Sequence, residues 1–244
     1  MCGRFVQHAE PSAYASRYAA SDRSAPVDGG TAARGSTGGL TGAGGYNVAP
    51  TQRVLALRTG ADGSRELVRL RWGLVPAWSR GPDPRYSMIN ARAENVHERP
   101  AWRGPWRGRR CLIPAEGFYE WRRTAQGRQP HLIHRADGAP FCMAGLWDRW
   151  QDPAGDVVIE SCSILVTGAN DLIAPLHDRM PVILAVGQYA DWLDPACQEH
   201  TRRRGWLVPA ASAGWVSHPV SPAVNNPRND GPHLLQPLSA ATDA

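Results

Sequence analysis

The chain has 244 residues, of which 42% are hydrophobic and 20% charged, and its formal net charge is +5. This composition is that of a globular protein, and the length allows one large domain or two small ones. No apolar run approaches the roughly 18 residues of a membrane span, and the first residues lack the apolar core of a signal peptide. We therefore expect a cytoplasmic protein with no membrane attachment.

The pattern along the chain predicts more strands than helices. Residues 9–20 have Tyr14 and Tyr18 four apart, which indicates a short helix, and the Gly- and Ser-rich residues 21–45 predict a flexible surface loop. Two further helices are predicted at 169–174 and near 188–198. Apolar runs predict strands at 54–57, 67–75, 110–114, 117–123, 131–135, 141–150, 157–167, 182–186 and within 206–220. These elements indicate one α+β domain, residues 1–244, that is mostly antiparallel β-structure with a barrel-like sheet and a few short helices.

The cysteines, histidines and basic residues limit the chemistry that is open to the chain. All 27 basic residues are arginine, so no side-chain amine exists and any imine must form on the α-amino group. The five cysteines are far apart and odd in number, which argues against disulfides and zinc. The histidines show no metal-ligand spacing, so we expect no metal and no cofactor. A net charge of +5 permits polyanion binding without demonstrating it.

Cys2 is the first candidate for chemistry. Its small side chain permits removal of Met1, which would leave an N-terminal cysteine with its amine and thiol on adjacent carbons. The α-amine has a pKa of about 7.7–8.0, and the thiol is the strongest side-chain nucleophile. Together they can condense with an aldehyde to an imine and then to a five-membered thiazolidine. The alternative is that Cys2 is a chance residue after the start methionine.

Two further residues could transfer protons. Glu120 would share one face of a strand with Phe118, so it sits in apolar surroundings that make a carboxyl a candidate general acid/base. An ion pair with one of the many arginines is the alternative. His177 precedes Asp178 and Arg179 in a predicted turn, where it could exchange protons at neutral pH or be an ordinary surface histidine.

Arginines and tryptophans alternate in the middle of the chain. This pattern suits a nucleic-acid backbone and unstacked bases, and the alternative is a solvated loop whose tryptophans anchor the core. The arginines are Arg99, Arg103, Arg107, Arg109, Arg110, Arg122 and Arg123, with Trp102, Trp106 and Trp121 between them.

The order of the motifs closely resembles the SRAP family, the SOS-response-associated peptidase-like proteins. The resemblance covers about residues 2–237 and leaves out the 21–45 loop and a tail at 238–244. The matching segments are Met1 to Phe5, Tyr46 to Thr51, Arg71 to Trp78, Asn90 to Glu94, Cys111 to Trp121, Ala144 to Trp147, His177 to Pro181, Ser217 to Ser221 and Val224 to Asn226.

The resemblance implies a monomeric sensor of abasic sites in single-stranded DNA, including junctions with duplex, that acts in the DNA-damage response and is nucleoid-associated when bound. Such proteins crosslink to the open-chain sugar aldehyde through their N-terminal cysteine and shield the site, by lyase-like Schiff-base chemistry. The implied catalytic residues are Cys2, Glu120, His177 and Asn90. The implied DNA contacts are Arg4, Arg92, Trp78, Thr167 and Trp72, although Ser79 stands where some relatives have a second aromatic residue.

Two other functions remain open at this point. Cys2, His177 and a carboxylate could form a thiol peptidase, whose reach could be limited to removing Met1. A non-catalytic module for single-stranded DNA would explain the arginines and tryptophans, but it would give Cys2 no role.

Overall fold

The computed structural model describes residues 2–25, 45–85, 87–197 and 200–238. Most of the predicted 21–45 loop lies outside these residues, but its first part, Ser21–Asp22, forms a strand. The strands are β1 (Phe5–Gln7), β2 (Ser21–Asp22), β3 (Gly45–Val48), β4 (Arg53–Thr59), β5 (Arg65–Trp72), β6 (Asn90–Arg92), β7 (Arg110–Ala115), β8 (Gly117–Thr124), β9 (Gly127–Arg135), β10 (Phe141–Gln151), β11 (Val158–Gly168), β12 (Arg179–Pro181), β13 (Ile183–Leu184) and β14 (Trp215–Pro219).

The helices are short and lie between the strands. They are α1 (Pro11–Arg17), α2 (Pro100–Gly108), α3 (Tyr189–Leu193) and α4 (His200–Gly205), with single 3₁₀ turns at Val186–Gln188, Pro222–Asn225 and Pro232–Leu235. Within the described ranges, no helix is both long and apolar enough to cross a membrane.

One sheet curves until it closes on itself. Its strands run β11, β10, β7, β4 and β5 through antiparallel neighbours, and β5 then pairs in parallel with β11, Ser161 opposite Arg71. Along β4 the side chains alternate between two clusters, with Val54 in the one and Leu55 in the other. This alternation is the period of a strand with both faces buried. The predicted barrel-like α+β fold is confirmed.

The second sheet lies against the interior of this barrel. Its strand order is β14, β9, β8, β1, β3, and Phe5 and Phe118 from it join Val54 and Ile113 of the barrel in one inner cluster. The helices cover the barrel's outer side, where Trp106 of α2 packs among the residues of a separate cluster. The inner cluster also contains Cys2, which is how the fold positions the candidate site.

Three predicted elements differ from the observed ones. The strand predicted at 67–75 ends at Trp72, because Gly73 has a φ of 121° and a Cβ there would lie 3.0 Å from the Ser87 carbonyl oxygen. The helix predicted at 169–174 is a series of turns, in which Asn170 Oδ1 accepts the Ile173 N–H at 3.1 Å. The strand predicted at 182–186 is reduced to β13.

Candidate active site

Cys2 is held at the start of a central strand. β1 lies between β8 and β3, and the Tyr119 N–H donates to the Arg4 carbonyl at 2.9 Å. Asn90 Nδ2 donates to the Cys2 carbonyl oxygen at 2.9 Å. The exposed fraction of Cys2 is 0%. Cys2 therefore lies inside the protein, next to β6 and close to β8.

Glu120 is the buried carboxyl of the site. It lies on β8 and is 2% exposed. Burial raises its pKa to about 7, the positive amino terminus of the chain opposes this rise, and Asp178 adds to it. A carboxyl in this range changes protonation at neutral pH, which is the property required of a general acid/base.

The thiol of Cys2 is kept protonated. Burial raises its pKa, and the negative charge of Glu120 raises it further. This coupling shows that the Cys2 thiol and the Glu120 carboxyl are within electrostatic reach of each other. The sulfur is therefore stored as a neutral thiol next to a group that can take its proton.

His177 lies in the loop between β11 and β12. Its Nδ1 is 3.0 Å from the backbone nitrogen of Arg179 and 2.8 Å from Asp178 Oδ1. The backbone N–H is the partner when Nδ1 is unprotonated, and the carboxylate is the partner when Nδ1 carries the proton. Burial and the positive amino terminus lower the pKa of His177, while Asp178 raises it. A ring with a partner in both tautomers suits proton transfer.

Asn90 contributes an acceptor as well as a donor. β6 pairs in parallel with β11, which places Asn90 opposite Ile164. Its Oδ1 is buried and has no hydrogen-bond partner within the described residues. An unsatisfied buried acceptor costs about 1–3 kcal/mol, so such atoms in native proteins call for an explanation, such as a ligand.

The residues predicted to contact DNA fall into two groups. Trp78 is 67% exposed, and Arg92 is exposed at the end of β6 without a hydrogen bond or ion pair in the described part of the chain. Arg4 is partly committed, since its Nη1 donates to Asn47 Oδ1 and the Val224 carbonyl, both at 2.8 Å. These three side chains have exposed surface that a ligand can contact, and Arg4 has the least of the three.

Thr167 and Trp72 have internal partners instead. The Thr167 hydroxyl donates to the Leu207 carbonyl at 3.0 Å. Trp72 is fully buried, packs edge-on against Phe5 at 5.1 Å and donates its ring N–H to the Ile89 carbonyl. Trp72 therefore has no exposed surface for DNA, and it is a core residue.

The arginines between Arg99 and Arg123 do not form one patch. Arg110 is buried and donates to backbone carbonyls of Trp106, Arg107, Trp192 and Asp194, and Arg109 pairs with Asp148 at 3.1 Å. Arg103 and Arg107 are exposed on α2, which covers the barrel's outer side. Arg122 and Arg123 are exposed at the end of β8, and Arg123 is close enough to lower the pKa of His177. The alternative, in which the tryptophans anchor the core, holds for Trp106, which is a core residue.

Strand pairing brings next to Glu120 a residue that the motifs did not indicate. His131 on β9 is the direct cross-strand partner of Glu120. The sequence could have indicated this pairing. β8 and β9 are joined by a turn between Thr124 and Gly127, and counting back along both strands from that pair places Glu120 opposite His131. Among the described residues, no group of three or more His, Cys, Asp or Glu side chains is arranged to hold a metal ion.

Comparison with known proteins identifies the family. The family model SOS response associated peptidase (SRAP) matches residues 1–227. Abasic site processing protein YoqW of Bacillus subtilis is 38% identical over 78% of this chain and 85% of its own, and abasic site processing protein YedK of Escherichia coli is 30% identical over 98% and 100%. A solved structure from Bacteroides thetaiotaomicron shares the fold, with a TM-score of 0.81 at 24% identity over 98% of this chain and 100% of that one. The chain therefore belongs to the SRAP family.

Proposed function

We propose that this protein processes abasic sites in single-stranded DNA by forming a covalent thiazolidine crosslink through Cys2 after Met1 has been removed. Relatives that cover most of the chain are named abasic site processing proteins. The observation that carries the chemical part of the proposal is the burial of the Cys2 thiol beside the Glu120 carboxyl. An amine, a thiol and a proton-transfer group are thereby held together where an aldehyde can meet all three.

The reaction begins with the amine of residue 2. This amine, as an ammonium ion, passes a proton to the Glu120 carboxylate and adds to the C1′ aldehyde of the opened sugar, which gives a carbinolamine. The carboxyl of Glu120 protonates the carbinolamine hydroxyl, and water leaves with formation of an iminium. The Cys2 sulfur then adds to the iminium carbon, and its proton returns to the Glu120 carboxylate. The products are a thiazolidine, one water and one proton.

The geometry makes the second step intramolecular. The thiol is already bonded to the residue that bears the amine, so ring closure needs no second encounter, and effective molarities for such steps reach about 10⁵–10⁸ M. A pKa of about 7 lets Glu120 be an acid in one step and a base in the next. Neutral storage of the thiol matches a reaction in which sulfur attacks last.

Asn90 and His177 have separate roles in this proposal. The buried Oδ1 of Asn90 accepts a hydrogen bond from a hydroxyl of the sugar, while its Nδ2 keeps the Cys2 carbonyl in place. His177, which can exchange a proton at Nδ1 with either neighbour, assists opening of the hemiacetal ring. Both assignments give a role to polar groups that interact with the start of the chain.

Several exposed residues suit the binding of a single strand. Trp78 offers a flat apolar surface for a base, and Arg92, Arg122 and Arg123 offer guanidinium groups for phosphates. Base stacking on an aromatic side chain and phosphate contacts are the usual means of binding single-stranded DNA. These contacts hold the strand while the lesion sugar reaches Cys2.

The thiol peptidase is the weaker alternative. A cysteine protease needs a thiolate, and its nucleophile has a lowered pKa. Burial and Glu120 raise the pKa of the Cys2 thiol. A purely non-covalent DNA-binding module would leave the buried pair of Cys2 and Glu120 without a role, and such a pair is costly to keep.

Intact-mass spectrometry tests the proposal. Purified protein is incubated with an abasic single-stranded oligonucleotide, and Cys2→Ser serves as the matched control, because serine also permits Met1 removal. We expect a wild-type adduct of protein plus DNA minus one water that survives denaturation, and none with the serine variant. Binding without any adduct would favour the non-covalent module, and cleavage of a generic peptide substrate would favour the peptidase.

A further inference from the structure

We propose that His131 is a positioning residue that relays the proton released at Glu120 to solvent. The inference rests on the proposed function and adds a residue that the motifs did not single out.

The strand pairing places the two side chains together. Residues directly opposite in an antiparallel pair have their Cβ atoms about 4.5–5.5 Å apart on the same face of the sheet. Glu120 and His131 are such a pair, two positions along from Phe118 and Ile133. Phe118 and Ile133 belong to the inner cluster that also contains Cys2, so the next pair in register faces the same side. His131 therefore stands beside Glu120 on the side of the reaction.

The reaction needs such a route because it releases a proton. The amine starts as an ammonium ion, and the nitrogen of the thiazolidine ends neutral, so one proton leaves for each crosslink. Glu120 exchanges protons with the reacting groups but is 2% exposed, which leaves almost no direct contact with water. His131 is only partly buried, so its ring joins the buried carboxyl to the surface.

The neighbours of His131 keep its ring able to accept. β8 brings Glu120 and Arg122 to it, β14 brings Ser217 and His218, and the 3₁₀ turn at Pro222–Asn225, which also packs on β9, has no titratable side chain. Burial, Arg122 and His218 lower the pKa of His131, so the ring is neutral at neutral pH. Ser217 Oγ lies 3.4 Å from Nδ1, and Nε2 makes no hydrogen bond within the described residues.

The test removes the ring and then supplies it from solution. His131→Ala is compared with His134→Ala, a control on the same strand whose side chain lies on the other face and contacts the His218 ring at 5.3 Å. Single-turnover crosslinking to abasic single-stranded DNA is measured from pH 6 to 9, with and without imidazole. Thermal unfolding checks that each variant is folded, and His131→Gln replaces the alanine variant if that one is not.

We expect His131→Ala to crosslink about tenfold more slowly than wild type, because a protonated Glu120 must lose its proton before it can accept one from the ammonium group, and water then replaces the ring as the carrier. A side chain that transfers a proton directly to or from a reacting group is worth about 10²–10⁴-fold. Imidazole should restore the rate saturably in His131→Ala and leave His134→Ala unchanged. His131→Gln should be slow as well, and the pH profile of the slow variants should lose the limb that reports proton release. A wild-type rate in His131→Ala, or a slow rate that imidazole does not raise, would overturn the relay. Absence of any wild-type crosslink would instead overturn the proposed function, and the relay with it.

Discussion

Glu120 makes the protein less stable as the pH rises, because the fold raises its pKa from 4.5 to about 7. A raised carboxyl pKa means that the folded state binds the proton more tightly than the unfolded state does. The associated stability is fully present below pH 4.5 and is lost as the pH rises through 7. At 1.36 kcal/mol per pKa unit, the loss is about 3 kcal/mol.

Replacing Glu120 by glutamine should remove this pH dependence. The glutamine keeps the shape of the side chain but carries no charge at any pH. Between pH 5 and pH 8 the free energy of unfolding, measured by urea titration, should therefore fall less in Glu120→Gln than in wild type. Parallel stability curves for the two proteins would show that Glu120 has an ordinary pKa.

The same substitution should separate binding from chemistry. Glu120→Gln cannot donate or accept the proton, so we expect crosslinking to slow by about 10²–10⁴-fold. Affinity for intact single-stranded DNA should stay nearly unchanged, since Glu120 is buried. Single-turnover crosslinking and fluorescence anisotropy measure the two quantities. Crosslinking at the wild-type rate would make Glu120 a structural carboxyl.

The single residues show what a motif can and cannot indicate. Cys2, Glu120, Asn90 and His177 carry the family resemblance, and the fold brings them to the start of β1. Motif order did not distinguish an exposed tryptophan, Trp78, from the buried Trp72, because burial depends on which strand closes the barrel. It also passed over His131, which becomes visible only through strand pairing.

The strand β10 passes close to its neighbouring strands at Gly145. A Cβ on Gly145 would lie 2.8 Å from Cys111 Sγ and 3.2 Å from the Ser163 carbonyl oxygen, so the neighbouring strands leave no room for a methyl group. Gly145→Ala should therefore lower the free energy of unfolding by about 1–3 kcal/mol, the usual cost of overpacking.

Urea denaturation checks this prediction, with Gly168→Ala as the matched control. Gly168 ends β11, and a Cβ there would meet no atom within 4 Å. The control should unfold within about 0.5 kcal/mol of wild type, as expected for a substitution that disturbs no packing. Equal destabilisation of both variants would mean that loss of glycine, and not overpacking, sets the cost.

Strands were predictable and helices less so, for identifiable reasons. Strands such as β4 and β11 have the apolar content and turn boundaries that the pattern requires. α2 was missed because Pro-Ala-Trp-Arg-Gly-Pro-Trp-Arg-Gly contains two prolines and two glycines, and its stability comes from burying Trp106. The parallel pairing of β5 with β11 joins residues some 90 positions apart, which no local pattern indicates.

The exposed arginines do not all lie on the side of the barrel that carries the candidate site. Arg92 is exposed at the end of β6, next to Asn90, whereas Arg103 is exposed on α2, which packs against the outer cluster. Both lack an ion pair in the described part of the chain, so their charges are comparable while their positions differ.

Salt dependence should tell the two positions apart. The logarithm of affinity for single-stranded DNA should fall with the logarithm of salt concentration at about −0.7 per phosphate contacted. Arg92→Ala should make this slope shallower by about 0.7, and Arg103→Ala should leave it unchanged. Equal effects of the two substitutions would mean that the DNA follows a different path.

The absence of lysine makes one measurement decisive for crosslinking at Cys2. Borohydride traps imines, and in this chain the α-amino group is the one primary amine on which an imine can form. The measurement is mass spectrometry of the N-terminal peptide after incubation of wild type and Cys2→Ala with abasic single-stranded DNA, with and without borohydride. Alanine also permits Met1 removal, so both proteins present a free amine, and only wild type has the thiol to close the ring.

We predict a wild-type adduct on residue 2 alone, without Met1, that survives denaturation in the absence of borohydride. The alanine variant should give an adduct only when borohydride is present, because its imine hydrolyses. An adduct on Cys111, Cys142, Cys162 or Cys197, or a wild-type adduct as labile as that of Cys2→Ala, would contradict crosslinking through a thiazolidine at Cys2.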